Sequence, residues 1–263
     1  MFEIFQIDAF TSRLFSGNPA AVCPLDAWID DELMQLIASE NNLAETAFAV
    51  PCGDEFEIRW FTPQTEVDLC GHATLASAHA FMRHCGWTKD EITFHSRHSG
   101  RLIVRRENDT YFLNFPADFC SLVQPPKQLL ASFDLQPVES YRGQTDFMLV
   151  YETRQQIEEL APDFQLLKQV DARGVIVTAL GDDEDFVSRF FAPRVGIDED
   201  PVTGSAHTTL IPFWSKRLGK ATLIAKQISQ RGGELYCKNL GDRTEIGGYA
   251  QTYLVGKINV SNR

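Results

Sequence analysis

Three side chains in this sequence are of types that can carry or steer a proton, and each stands beside a turn that can hold an anion. Glu45 lies in "AETAF", His72 in "CGHAT" and Asp200 in "DEDPVTGSA". A carboxyl group in a cleft can be desolvated until its pKa suits proton shuttling, so Glu45 is a candidate acid/base. Gly71 and Ala73 flank His72, while Gly204 and Ser205 follow Asp200. Glycine and other small residues let a ligand approach the backbone closely. Each phrase opens what reads as an amphipathic helix, and a helix start presents unpaired N–H groups with partial positive charge. Two such starts facing one cleft would suit a small carboxylate, or an enolate-like charge developing beside one. The plainer reading stays open: the glycines permit tight turns and Ser205 caps a helix.

The two phrases belong to a longer correspondence. Gly71-His72-Ala73 maps onto Gly204-Ser205-Ala206 at an offset of 133 residues, and the same offset carries Gly86, Gly100 and Leu102 onto Gly219, Gly233 and Leu235. "RWFTP" at 59–63 answers "RFFAP" at 189–193. This is an internal duplication of long period rather than a solenoid. The counterpart of Glu45 falls near Gly174 or Val175, which cannot titrate, so only one half has a candidate proton carrier.

The elements that must position these residues follow from pattern. Strands are expected at "FEIFQIDAF", "GNPAAVCPL", "ETAFAV" and "FEIRWFTP", with a helix over "DDELMQLIASENN" capped by Asp30 or Asp31. Helices follow at about 71–84 and 204–217, each trailed by short strands. A further helix is expected at "PDFQLLKQVDA" and strands at "GVIVTAL" and "DFVSRFFAP". Residues 116–137 hold four of the twelve prolines and read as a linker with one short helix. The expected organisation is an N-terminal half at 1–118, a linker at 119–137 and a C-terminal half at 138–263, whose terminal strand could complete the other half. Strand predominance with two helices per half predicts two similar α+β domains related by a pseudo-twofold axis.

A chain of 263 residues is long enough for a sizeable core, and its net charge of −12 argues against non-specific nucleic-acid or anionic-membrane binding. The first residues have no basic n-region, and no apolar run is long enough to span a bilayer. Six cysteines without a CxxC pair read as reduced thiols in a cytoplasmic protein.

"GNPAAV", "ETAF", "FTPQTEVDLCGHAT" and "DEDPVTGSAH", in this order, resemble the PhzF-like (phenazine-biosynthesis) isomerase family over nearly the whole chain. That family shares its fold with diaminopimelate epimerase. The resemblance implies two domains, each a barrel-like, mostly antiparallel sheet around a central helix, with the site between them. It also implies cofactor-free isomerisation by proton transfer on a small anionic metabolite, and a homodimer. By the same resemblance Glu45 matches the catalytic acid/base. His72 and Asp200 match polar site residues, and Gly71, Gly204 and Ser205 match substrate-binding turns.

Residue chemistry keeps several alternatives in view. Asp200 before Pro201 suits a turn, and His72 at a helix start is expected to be neutral because the local field disfavours a cation. His79 and His84 read as packing or helix-surface residues. Cys70 stands where the first thiol of a two-thiol racemase or epimerase would, but "DEDPVTGSA" supplies no second thiol, so Cys70 reads as a small buried residue. The spacing of Cys70, His72, His79 and His84 forms no metal motif, and no GxGxxG or Walker loop occurs, so neither metal nor nucleotide cofactor is expected. A non-catalytic protein that binds a small acid on the same duplicated scaffold is the remaining alternative.

Overall fold

Runs rich in β-branched and aromatic residues form strands, and the small-residue runs after the two glycine phrases form helices, as their packing demands. The computed structural model describes residues 1–260 and falls into two units, 1–114 with the segment from Gly247 onward, and 115–246. The first contains β1 (Phe2–Ala9), β2 (Asn18–Pro24), α1 (Asp31–Asn41), β3 (Glu45–Cys52), β4 (Glu55–Phe61), β5 (Glu66–Val67), α2 (Gly71–His84), β6 (Glu91–Ser96), β7 (Gly100–Glu107) and most of β8 (Thr110–Pro116). The second contains β9 (Ser121–Leu122), α3 (Lys127–Ala131), β10 (Glu139–Arg142), β11 (Asp146–Val150), α4 (Arg154–Glu159), α5 (Phe164–Leu167), β12 (Gly174–Leu180) and β13 (Phe186–Phe191). It continues with α6 (Gly204–Leu218), β14 (Thr222–Gln227), β15 (Gly233–Asn239) and β16 (Arg243–Gly248). The last strand, β17 (Ala250–Ile258), pairs antiparallel with β1 and so lies in the first unit.

The units repeat one pairing pattern. In the first, β2–β3 is parallel, β3–β4 antiparallel, β4–β6 parallel and β6–β7 antiparallel. In the second, β11–β12, β12–β13, β13–β14 and β14–β15 run through the same sequence of directions. Parallel neighbours cannot be joined by a tight turn and need a crossover. The crossover from β4 to β6 contains α2, and that from β13 to β14 contains α6. The two glycine phrases therefore start topologically equivalent helices.

Each helix is enclosed by its own unit. Every residue of α2 from His72 to Met82 is buried, and the helix packs on β1, β2 and β3. Alanines at 73, 76, 78 and 80 keep it slim enough for that, and its hydroxyls are satisfied internally. Thr74 Oγ1 donates to Cys70 O at 2.6 Å and Ser77 Oγ to Ala73 O at 2.7 Å. In α6, Pro212 has no N–H for the Thr208 carbonyl one turn earlier. The Asp118 backbone N–H takes that carbonyl at 3.1 Å, and the Asp118 carboxylate accepts from Thr209 Oγ1 at 2.9 Å. A proline that would otherwise weaken the helix is thereby used to dock the segment after β8.

Two elements differ from the sequence-based expectations. Residues 119–137 do not hang as a connector: Leu129 and Phe133 are buried in the second unit's core with Val177 and Phe191. The prolines punctuate this stretch, and its apolar side chains still find a core. The helix expected over "PDFQLLKQVDA" shortens to the single turn of α5, whose start is capped by the Asp163 carboxylate. Among the described residues, no helix is long and apolar enough to cross a membrane.

Candidate active site

Glu45 is the first residue of β3, and its parallel register against β2 sets it opposite Ala20. Although it follows a helix in a position that usually faces water, it is only 8% exposed. Its Oε2 lies 3.1 Å from Nε2 of His72, the second residue of α2. On the other edge of the imidazole, Asn18 Nδ2 and Cys70 Sγ stand 3.3 and 3.4 Å from Nδ1. Asn18 opens β2, so β2, β3 and the start of α2 each contribute to one cluster. The packing of α2 across β2 and β3 brings Asn18, Glu45 and His72 together, each 27 positions or more from the next.

The charge state of His72 differs from the sequence-based expectation. Burial opposes a cation there, but the neighbouring Cys70 sulfur and the Glu45 carboxylate together outweigh it and hold His72 well above the usual imidazole pKa. The contact with Glu45 thus favours the cationic form of His72. Cys70 behaves oppositely: burial, then the Glu45 charge, push its thiol up to about 11. It stays protonated, and it is buried as expected.

The N-cap of α2 is Cys70, whose side chain makes no cap hydrogen bond. Gly71 and Ala73 keep that turn small. His79 and His84, further along, both reach Thr252 Oγ1 of β17 at 2.9 and 2.8 Å, in a structural role.

In the second unit, α6 likewise lacks a side-chain cap: its N-cap is Thr203, so Ser205 does not serve that purpose. Ser205 Oγ instead accepts from Arg173 Nη1 at 2.9 Å, and Arg173 is held by the buried Asp146 carboxylate. Asp200 accepts from Thr203 Oγ1 at 2.5 Å. Gln227, fully buried, fixes this turn by accepting from Thr203 N at 2.9 Å and donating to Asp200 O at 2.7 Å. Gly204 then starts the helix without a side chain at its mouth. Thus Asp200, Gly204 and Ser205 form one polar helix start, as Glu45, Gly71, His72 and Ala73 form another.

Sequence reading missed Asn18, Arg173, Asp146 and Gln227. Asn18 had a signal, since it sits inside "GNPAAV". The others reach the helix starts from distant strands and leave no local trace. The reading that no metal motif exists used spacing along the chain. In space, single donor atoms of Glu45, Cys70 and His72 all lie within 4.8 Å of one another.

Comparison with known proteins shows the family of the chain. The sequence profile of the PhzC-PhzF family, described as phenazine biosynthesis-like protein, matches residues 7–256. An uncharacterized isomerase of Pseudomonas aeruginosa is 52% identical over 260 residues, covering 98% of this chain and 99% of its own. The crystal structure of a phenazine biosynthesis protein of the PhzF family from Enterococcus faecalis superposes with a TM-score of 0.96 at 43% identity, covering 98% of this chain and 99% of that one. A probable proline racemase from Agrobacterium radiobacter shares the fold with a TM-score of 0.63 at 10% identity, over 99% of this chain and 94% of that one. The α+β architecture is shared with the probable proline racemase, and the chain belongs to the phenazine biosynthesis-like (PhzC-PhzF) family of isomerase-type enzymes.

Proposed function

We propose that this protein isomerises a small carboxylate-bearing metabolite by proton transfer without a cofactor, with Glu45 as the proton carrier. The observation that carries this reading is the buried Glu45–His72 pair at the uncapped start of α2. Glu45 would remove a proton from a carbon activated by the substrate's unsaturation or carboxylate. The electron pair moves into an enolate-like system, whose charge the Gly71–Ala73 helix start and the His72 cation stabilise. Glu45, now a carboxylic acid, returns the proton and is regenerated.

A single carrier that returns its proton to the same carbon on the same face only regenerates substrate. One carboxyl group therefore favours a 1,3-shift over a 1,1-epimerisation. His72, held between Glu45 and Cys70, is suited to orientation and hydrogen bonding rather than to acting as base. Asp200, Gly204 and Ser205 are assigned to binding at the second helix start, where Arg173 supplies the cationic partner a carboxylate needs. The proposal includes a cytoplasmic homodimer, as the family resemblance implies, with no nucleic-acid or membrane partner.

Solvent-deuterium incorporation into a panel of small unsaturated and α-substituted acids tests it. Wild type should exchange a carbon-bound proton in at least one acid. Asp200→Asn and His72→Ala should weaken binding and turnover together. Binding without exchange across the panel would leave only a small-acid binder. A two-thiol mechanism would instead make Cys70 the indispensable group, although its thiol is protonated and the sequence before Gly204 offers no second one.

A further inference from the structure

The "GNPAAV" phrase leads from the turn after β1 into β2, and it sets a fully buried amide against the histidine of the site. Gly17 stands at φ 68°, and a side chain there would strike the Ala9 carbonyl oxygen at 2.1 Å, so the turn requires glycine. Pro19 restricts the residue before it to extended conformations, which fixes the backbone of Asn18. Alternate residues of a strand share a face, so Asn18 lies on the face of Ala20. The parallel register puts Ala20 opposite Glu45, and its methyl group leaves room for the start of α2. Asn18 Nδ2 then lies 3.3 Å from Nδ1 of His72, while Glu45 Oε2 lies 3.1 Å from Nε2. The ring is thus held at both nitrogens, with Cys70 Sγ a weaker contact 3.4 Å from Nδ1. Burying an amide costs desolvation that an apolar side chain of the same shape would avoid. Packing alone does not call for asparagine here.

We propose that Asn18 is a positioning residue that clamps the His72 ring at Nδ1 in both of its protonation states. An amide carries a donor and an acceptor on one rotatable end. In the structure Nδ2 faces Nδ1, the arrangement that suits a neutral ring: the amide N–H donates to the bare Nδ1, and the single ring proton stays on Nε2, toward Glu45. When the ring gains a second proton, Nδ1–H becomes a donor, and a half-turn of the amide brings Oδ1 round to accept from it. A carboxylate at this position could serve only the cation, and leucine could serve neither form. Without the clamp, a half-turn of the imidazole would exchange Nδ1 with Cδ2 and Nε2 with Cε1, taking the N–H away from Glu45. Asn18 thus lets His72 change charge without losing its partner. Cys70 and Glu45 are the titratable groups that act on the ring; on β1, Asp8 accepts from the Phe15 N–H at 2.9 Å. The use of the clamp in turnover rests on the proton-transfer reading; the clamp itself does not.

A nitrogen-15 NMR titration of the His72 ring in the full chain, without substrate, tests this on wild type, Asn18→Asp and Asn18→Leu, with His72→Ala to assign the signals. Above its titration midpoint, the wild-type ring should carry its one proton on Nε2. Asn18→Asp offers Nδ1 an acceptor only, so the midpoint should move to higher pH. Asn18→Leu removes both partners, and the hydrogen bond to the charged ring is the stronger of the two lost. Its midpoint should move to lower pH, and its neutral ring should mix the two tautomers. Circular dichroism reports folding, and the wild-type tautomer is decisive without any variant. A proton on Nδ1 of the neutral wild-type ring would overturn the clamp. So would midpoints and tautomers in both variants identical to those of wild type. On an acid whose proton wild type exchanges, Asn18→Leu should lose at least about tenfold in kcat with a smaller change in KM. An altered titration with wild-type exchange would uphold the clamp and refute the part given to His72 in the proposed reaction.

Discussion

Replacing Glu45 by glutamine keeps the size and hydrogen-bonding capacity of the side chain while removing its charge and its proton affinity. Two independent consequences follow. The carboxylate stands 3.1 Å from the His72 ring nitrogen. At an effective dielectric constant of about 20, a unit charge pair at that distance interacts by on the order of 5 kcal/mol, before the opposing cost of burial. Without it, burial of an imidazole about 6% exposed outweighs the remaining contact with Cys70, whose thiol is protonated, so His72 should become neutral at pH 7. Histidine NMR across a pH titration would read this directly. Its thermodynamic sign is also fixed. A histidine with a raised folded pKa contributes stability that is fully present below about pH 6.5, the unfolded value, and is lost as pH rises through the folded value. Wild type should therefore lose urea stability on going alkaline of that point, and Glu45→Gln should lose this slope. The second consequence is kinetic: turnover should fall by at least ~10²-fold while substrate affinity stays within about tenfold. Near-wild-type turnover with a neutral His72 would refute the assignment of Glu45 as proton carrier. A charged His72 in the variant would refute the electrostatic account.

On the acid side the sign reverses. Burial, and for His79 also the neighbouring His84 and Arg83, lower His79 and His207 to about 4. Each should withdraw up to about 3 kcal/mol of stability as pH falls from about 6.5 to 4. Urea denaturation at a series of pH values should show this arm, and a His207→Leu variant should flatten it; an unchanged slope would refute the burial argument. Asp118→Ala removes the acceptor of the Thr209 hydroxyl and should cost about 1–3 kcal/mol in the same assay; a change below about 0.5 kcal/mol would show that the backbone N–H to Thr208 suffices alone. Prolonged dialysis against a chelator should leave turnover at or above its starting rate, and a loss restored by added metal would overturn the cofactor-free mechanism.

Much of the frame was legible because it depends on local pattern. The helix starts at Gly71 and Gly204 could be placed to the residue, since glycine followed by small residues after an extended segment leaves few other conformations. The strand beginning at Glu45 was visible for the same reason. What could not be read was anything set by a partner far along the chain. The linker assignment of residues 119–137 weighed prolines, which act locally, over Leu129 and Phe133, whose burial depends on β12 and β13. Gln227 looks like the polar end of a strand, yet it holds the turn carrying Asp200.

His72 shows most clearly where local reasoning stops. From its position at the first turn of a helix, a neutral ring follows correctly from the field of the backbone. The field of one carboxylate at 3.1 Å is stronger and comes from a strand that the spacing does not reveal. The duplication explains why that carboxylate is present only once. Both units keep the crossover helix, because joining parallel strands requires a crossover. The residue that β12 offers near the Glu45 position is glycine or valine, and Gly174 is closed in by the Phe190 ring, which a side chain there would strike at 2.3 Å. The second unit has thus filled with core packing the space that the first uses for a charged pair. Under the proposed mechanism one proton carrier suffices for a 1,3-shift, whereas inversion at a single carbon would need two.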